Sequence, residues 1–162
     1  MCDRPARYGR FSREALWKHC CAAAAVSRKI ALVTNVVASD EAYVAGLLHH
    51  LGTILIDQHL RSHFCRVVDQ MDDLTPTYQV ERKVLSFDQG QLGAYVVGRW
   101  HFPEQIRDVI RYHAYPQDYT GPHAKLVNTV TVANYLCNRI RLTSLARITR
   151  RLPWRLRTRK LD

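Results

Sequence analysis

The chain has no run of about 18 uncharged apolar residues, so no membrane-spanning helix is expected. Its first thirteen residues carry four arginines and no apolar block, which argues against a secretory signal. The five cysteines, Cys2, Cys20, Cys21, Cys65 and Cys137, are odd in number and contain no Cys-x-x-Cys pair. A disulfide scaffold or zinc ribbon needs regular spacing, so these read as reduced thiols of a cytoplasmic protein. Strand-like alternation is scarce and no internal repeat occurs, which leaves a helical reading. Acidic residues are missing from one stretch: residues 139–160 hold nine basic side chains and no acidic one. The chain before Arg139, with 15 basic and 13 acidic residues, is nearly neutral, so the net charge of +10 belongs to the C-terminal tail.

What is present suits one compact domain. The chain has 162 residues, 47% of them hydrophobic and 23% charged, enough apolar material for a core. Ser12 is a candidate N-cap for a first helix over about 13–35, with Leu16, Cys20, Ala23, Ala24, Ser27, Ile30 and Ala31 along one side. A second helix starts after Ser39-Asp40 and runs through Leu48; Gly52 interrupts it and residues 53–59 resume. Further helices are expected at about 63–71, after Thr75-Pro76 as cap and first-position proline, after Asp88, after Pro103 to near His113, and over about 124–139. Residues 115–122 read as a loop, and a short basic helix after Thr143 or Ser144 would end at Pro153. The expected architecture is an all-α bundle, divided into a flexible segment 1–11, a helical domain 12–142 and a basic tail 143–162.

His19, His49, His50 and His113 fall on three separate helices or their ends. Neutral imidazole is a common metal ligand, but spacing alone leaves helix-end or core histidines as the blander reading. Motifs add to this. Trp17-Lys18-His19, Ala45-Gly46-Leu47-Leu48-His49-His50-Leu51-Gly52, the stretches 87–95 and 99–106, and Ile110-Arg111-Tyr112-His113 occur in order, followed by Ala133-Asn134. In that order they resemble the C-terminal part of an HDOD domain, a signalling relative of the HD and HD-GYP phosphohydrolases. The resemblance covers about residues 12–140 and implies an HD-like helical bundle, truncated at its N-terminus.

HD phosphohydrolases hold metal with a histidine, a His-Asp pair and a distant aspartate. By resemblance, His19 and His49 match the two histidines, His50 replaces the paired aspartate and Asn134 replaces the last one. Gln89 stands where HD-GYP relatives carry a further histidine, and Ala114 where their second paired histidine would be. No anionic ligand remains at these positions. Two close divalent cations need negative oxygens between them, so a dinuclear centre is not expected, and one zinc, nickel or copper ion is the most an all-neutral set could hold. The expectation is therefore a vestigial pocket of His19, His49, His50, Gln89, His113 and Asn134, with no cofactor and no catalysis. Asp57 and Asp88 lie nearby in sequence but match no ligand position.

The resemblance further implies helices that would precede Trp17, so the small-residue face at Ala22–Ala25 is expected to be uncovered and to favour association with itself or a signalling protein. Arg147, Arg150, Arg151, Arg155, Arg157 and Arg159, interleaved with Leu152, Trp154 and Leu156, could grip nucleic acid phosphates or an anionic membrane, or form a solvated tail. The leading expectation is a non-catalytic regulatory or protein-interaction module of bacterial signalling. An HD-type phosphohydrolase and a basic nucleic-acid-binding protein are the alternatives.

Overall fold

A two-residue turn at Gly9-Arg10 joins strand β1 (Arg7–Tyr8) to strand β2 (Phe11–Ser12) as a small antiparallel hairpin, with Tyr8 opposite Phe11. Gly9 takes φ +50°, a left-handed backbone that side chains rarely adopt. Phe11 is buried and meets Phe64 edge-on, ring centroids 4.6 Å apart. Residues 7–11, which the sequence reading assigns to a flexible segment over 1–11, lie in this hairpin. A buried aromatic removes roughly 150–250 Å² from water, which anchors even a short hairpin. The computed structural model describes residues 7–72, 74–140 and 142, so the basic tail from Thr143 onward and its expected short helix lie outside the described residues.

Eight α-helices follow among the described residues. Helix α1 (Arg13–Thr34) is capped at Ser12, whose hydroxyl accepts from the Ala15 amide, and ends at Asn35 in the left-handed conformation. Helix α2 (Ser39–Leu48) and helix α3 (Leu51–His59) are separated by His49-His50. Gly52 therefore lies in the first turn of α3 and does not interrupt it, contrary to the sequence expectation. Its missing side chain serves a contact instead: a Cβ there would stand 1.8 Å from the Gln89 carbonyl oxygen. Helix α4 (Arg61–Gln70) begins two residues earlier than its periodicity suggested. Helix α5 (Thr77–Leu85) has Pro76, not Thr75, at its N-cap, because the Thr75 hydroxyl and amide are engaged by the Asp72 carboxylate.

Helix α6 (Gln89–Arg99) opens with a capping box in which Asp88 and Gln91 each bond the other's backbone amide. Helix α7 (Glu104–Tyr112) follows Pro103, a 3-10 turn (Pro116–Asp118) punctuates the loop after it, and helix α8 (Ala124–Arg139) closes the described fold. The bundle is α-helical as expected, with the β1–β2 hairpin as a minor addition.

Two apolar clusters form the core. One joins Ala31, Ala42, Ala45, Val97, Val109, Ile110, Val127 and Val130; the other joins Phe11, Leu16, Cys20, Ile56, Phe64 and Val68. At Ala23 and Ala24 the small-residue face of α1 is covered, which corrects the expectation there, while Ala22 is half-buried and Ala25 exposed. Ala23 and Ala24 are fully buried because α2 packs on them through Gly46, whose hypothetical Cβ would lie 2.9 Å from both the Ala23 carbonyl oxygen and the Ala24 Cα. Small residues on both helices let the backbones touch, and the second cluster is closed by the hairpin's Phe11.

Candidate functional site

The two apolar clusters draw on different stretches of the same helices, and the histidines lie between those stretches. On α1, His19 falls among residues of the second cluster and ahead of Ala31 in the first; His49-His50 falls between Ala45 and Ile56. The α2–α3 corner thus delivers two consecutive imidazoles, α1 delivers one, and the C-cap of α7 delivers His113. Ring centroids are 5.3 Å apart for His19–His49, 5.2 Å for His19–His50 and 4.1 Å for His49–His50. His113 stands 4.8 Å from His49 and 5.3 Å from His50. All four imidazoles therefore share one pocket.

Hydrogen bonds fix their tautomers. His49 Nδ1 donates to the Gly46 carbonyl at 2.7 Å, and His19 Nδ1 donates to the Leu142 carbonyl at 2.5 Å. His113 Nδ1 donates to the carbonyls of Val109 and Ile110, each at 3.2 Å. A neutral ring with a protonated Nδ1 keeps a lone pair on Nε2. His113 Nε2 accepts from the Gln89 side-chain amide at 3.2 Å, but Nε2 of His49 and Oε1 of Gln89 are buried without a partner. Burial pushes the pKa of His19 below the ordinary value, against a smaller upward pull from the Leu142 carbonyl and the Asn134 amide. Burial and the neighbouring imidazoles hold His49 and His50 well below it, and burial brings His113 down to about 4. The pocket is neutral near pH 7.

The remaining sequence candidates also line or flank the pocket. Gln89 opens α6 and bonds His113; Asn134, half-buried on α8, accepts from the Asn138 amide at 2.9 Å and faces His19. The two aspartates close in sequence are committed elsewhere. Asp57 is buried between Arg13, at 2.5 Å, and Arg61. Asp88 is buried against Arg82 at 2.7 Å and accepts from the Tyr115 hydroxyl at 3.1 Å, while caging its own helix terminus. The arginines of the tail lie outside the described residues.

Sequence reasoning passed over one residue beside this pocket. Glu81 on α5 is buried, its carboxylate accepts from the Gln89 amide at 2.9 Å, and burial, reinforced by Asp88, raises its pKa to about 8. A signal was available: Glu81 sits three and four residues before Val84 and Leu85, on the apolar side of its own helix. Arg82 and Arg111 lie over the Tyr115 ring at 4.8 and 5.5 Å, closing the network around Asp88.

Comparison with known proteins places this arrangement. An uncharacterized protein of Treponema pallidum (strain Nichols) is 26% identical over 100 residues, covering 58% of this chain and 18% of its own length. The crystal structure of an HDOD domain protein with unknown function from Geobacter sulfurreducens matches with TM-score 0.78 and 28% identity, over 84% of this chain and 46% of that one. A candidate signal transduction protein from Marinobacter aquaeolei VT8 shares the fold, with TM-score 0.72 and 23% identity, over 81% of this chain and 30% of that one. The chain thus spans less than half the length of each of these relatives. With the HDOD domain matched over residues 3–116, the chain belongs to the HDOD domain family.

Proposed function

We propose that this HDOD domain is a non-catalytic regulatory or protein-interaction module of bacterial signal transduction. The observation that carries the reading is the anion-free lining of the histidine pocket. His50 and Asn134 stand where the resemblance places metal-binding aspartates, and both nearby aspartates are held by arginines or by a helix terminus. Water activation by a metal pair needs negative oxygens to hold two cations, and this lining supplies none. The Marinobacter relative's description as a candidate signal transduction protein supports the signalling context. The partner is then a signalling protein or a second copy of the chain. Among exposed side chains, Trp17, Tyr95 and Trp100 are the aromatic anchors such contacts favour.

The test is hydrolysis of cyclic dinucleotides and generic phosphoesters with manganese, iron or magnesium. No turnover above a protein-free blank is expected. Turnover that disappears in the His49→Ala variant would establish the phosphohydrolase alternative instead.

A further inference from the structure

We propose that the surface groove between α6 and α7 binds a free nucleotide, its phosphate held by arginines and its base stacked on Tyr95. Helix α6 carries Gly90, Ala94 and Gly98 at four-residue steps. These small residues let α7 lie close and antiparallel: a Cβ at Gly90 would stand 2.6 Å from the Arg111 carbonyl oxygen, and one at Gly98 would stand 3.6 Å from the Arg107 Cδ. With only a methyl group and a hydrogen at Ala94 and Gly98, a trough of about 600 Å³ remains between the side chains of the two helices. Helix α6 lines it with Gln91, Tyr95 and Arg99, one turn apart, and α7 lines it with Arg107 and Arg111, also one turn apart. The volume suits a small-molecule ligand. None of the histidine-pocket residues lines it.

Charge selects the class of ligand. The guanidiniums of Arg99, Arg107 and Arg111 share the trough with a single carboxylate, Asp108. That carboxylate is already held by His123 Nδ1 at 2.8 Å and by the Tyr119 hydroxyl at 2.7 Å. The Arg99 guanidinium has no partner among the described residues. Arg107 pairs at 2.6 Å with exposed Glu104, and such a pair contributes little against a phosphate. Arg111 is anchored through Nη1 on the Tyr115 hydroxyl, with Asp88 at 3.7 Å, which leaves Nε and Nη2 to donate. A helix C-terminus accounts for one cation at Arg99 but not for three along one groove. Guanidinium forks match phosphate oxygens.

Tyr95 and Gln91 select the rest of the ligand. Tyr95 is 68% exposed, and an open ring beside a phosphate site stacks a base. Gln91 Oε1 accepts from the Asp88 amide at 2.9 Å, which fixes that side chain and leaves its Nε2 donors for base or sugar oxygens. A bare phosphate would use neither residue. A protein partner draws on about 20–30 residues a side, whereas nine line this trough. The inference stands apart from the non-catalytic reading, since it requires binding and no turnover.

The full chain is titrated by calorimetry with inorganic phosphate, with the mono- and triphosphates of adenosine, guanosine, cytidine and uridine, with a short oligouridine strand and with an oligoglutamate peptide. At least one nucleotide is expected to bind one-to-one, about tenfold or more tighter than inorganic phosphate, the margin that base stacking supplies. Arg99→Gln and Tyr95→Ala should each weaken that binding about tenfold while melting as wild type, because both side chains are exposed. Lys29→Gln, exposed on α1, should bind as wild type, which separates the groove from general positive charge. Nucleotides bound no more tightly than phosphate, affinity unchanged in Arg99→Gln or in Tyr95→Ala, an equal loss in Lys29→Gln, or binding of the strand or the peptide alone would each overturn the proposal.

Discussion

At Gly52 the backbones of α3 and α6 come into direct contact. A methyl group in place of its hydrogen would stand 1.8 Å from the Gln89 carbonyl oxygen and 2.6 Å from its carbonyl carbon, both backbone atoms that cannot swing away. In an ordinary helix Gly→Ala gains about 1 kcal/mol, so the sign at this position is diagnostic. Gly52→Ala is expected to lose 3 kcal/mol or more, because α3 must move off the residue that opens α6 and bonds His113. Urea unfolding measures it, and a variant as stable as wild type would mean the two helices are not this close. The same residue marks a limit of sequence reading. A glycine in a helical pattern suggests an interruption, and only the neighbouring helix, some 37 positions on, reveals that it permits contact. Glu81 is the converse case: its place on an apolar face was visible, but what it bonds was not.

Helix α6 depends on its first residue more than on its length. Asp88 caps the helix, pairs with Arg82 and accepts from the Tyr115 hydroxyl, all while fully buried. Asn is as good an N-cap as Asp, so Asp88→Asn keeps the cap and gives up the charge, at an expected cost of about 1–2 kcal/mol. Asp88→Ala also strips the cap and removes the acceptor of the Tyr115 hydroxyl proton and the carboxylate that pairs with Arg82, at an expected cost of about 3–5 kcal/mol. Denaturation midpoints of the two variants should differ accordingly; equal losses would show that the cap contributes nothing. Caps of this kind are local, which is why Ser12 and Asp88 could be placed from sequence, along with the span of α8. The end of α2 at Leu48 was placed as well, but the restart of α3 at Leu51, ahead of Gly52, could not be, since it is set by packing of α3 on α6. Nor could the hairpin at residues 7–12, whose anchor Phe11 finds Phe64 more than fifty residues away. The Thr75-Pro76 signal failed for a third reason: Asp72 competes for the threonine that would have capped α5.

For the whole molecule, the family motifs located the histidines, whereas their spacing did not, because four residues on three helices converge only after two core clusters have set the helices' relative positions. The same packing seals Glu81 inside, and this has a consequence for stability against pH. Its carboxyl has a pKa near 4.5 when solvated and about 8 in the fold, chiefly through burial. The groups facing it are the Gln89 amide, which favours the anion, Asp88, which opposes it, and Arg82, which favours it. Between those two values the folded state holds a proton that the unfolded chain has released. Stability attributable to Glu81 is therefore fully present below about pH 4.5 and is lost as pH rises through about 8. The loss approaches about 1 kcal/mol per pH unit at its steepest. Urea midpoints taken between about pH 6 and about pH 9 should fall with rising pH in the wild-type chain. The Glu81→Gln variant, neutral at every pH and still able to accept from the Gln89 amide, should show a flatter profile and overtake wild type at the alkaline end. A wild-type profile that is level across this range, or a variant that declines as steeply, would show that the Glu81 carboxyl reaches water in solution and that its burial does not govern the alkaline limb.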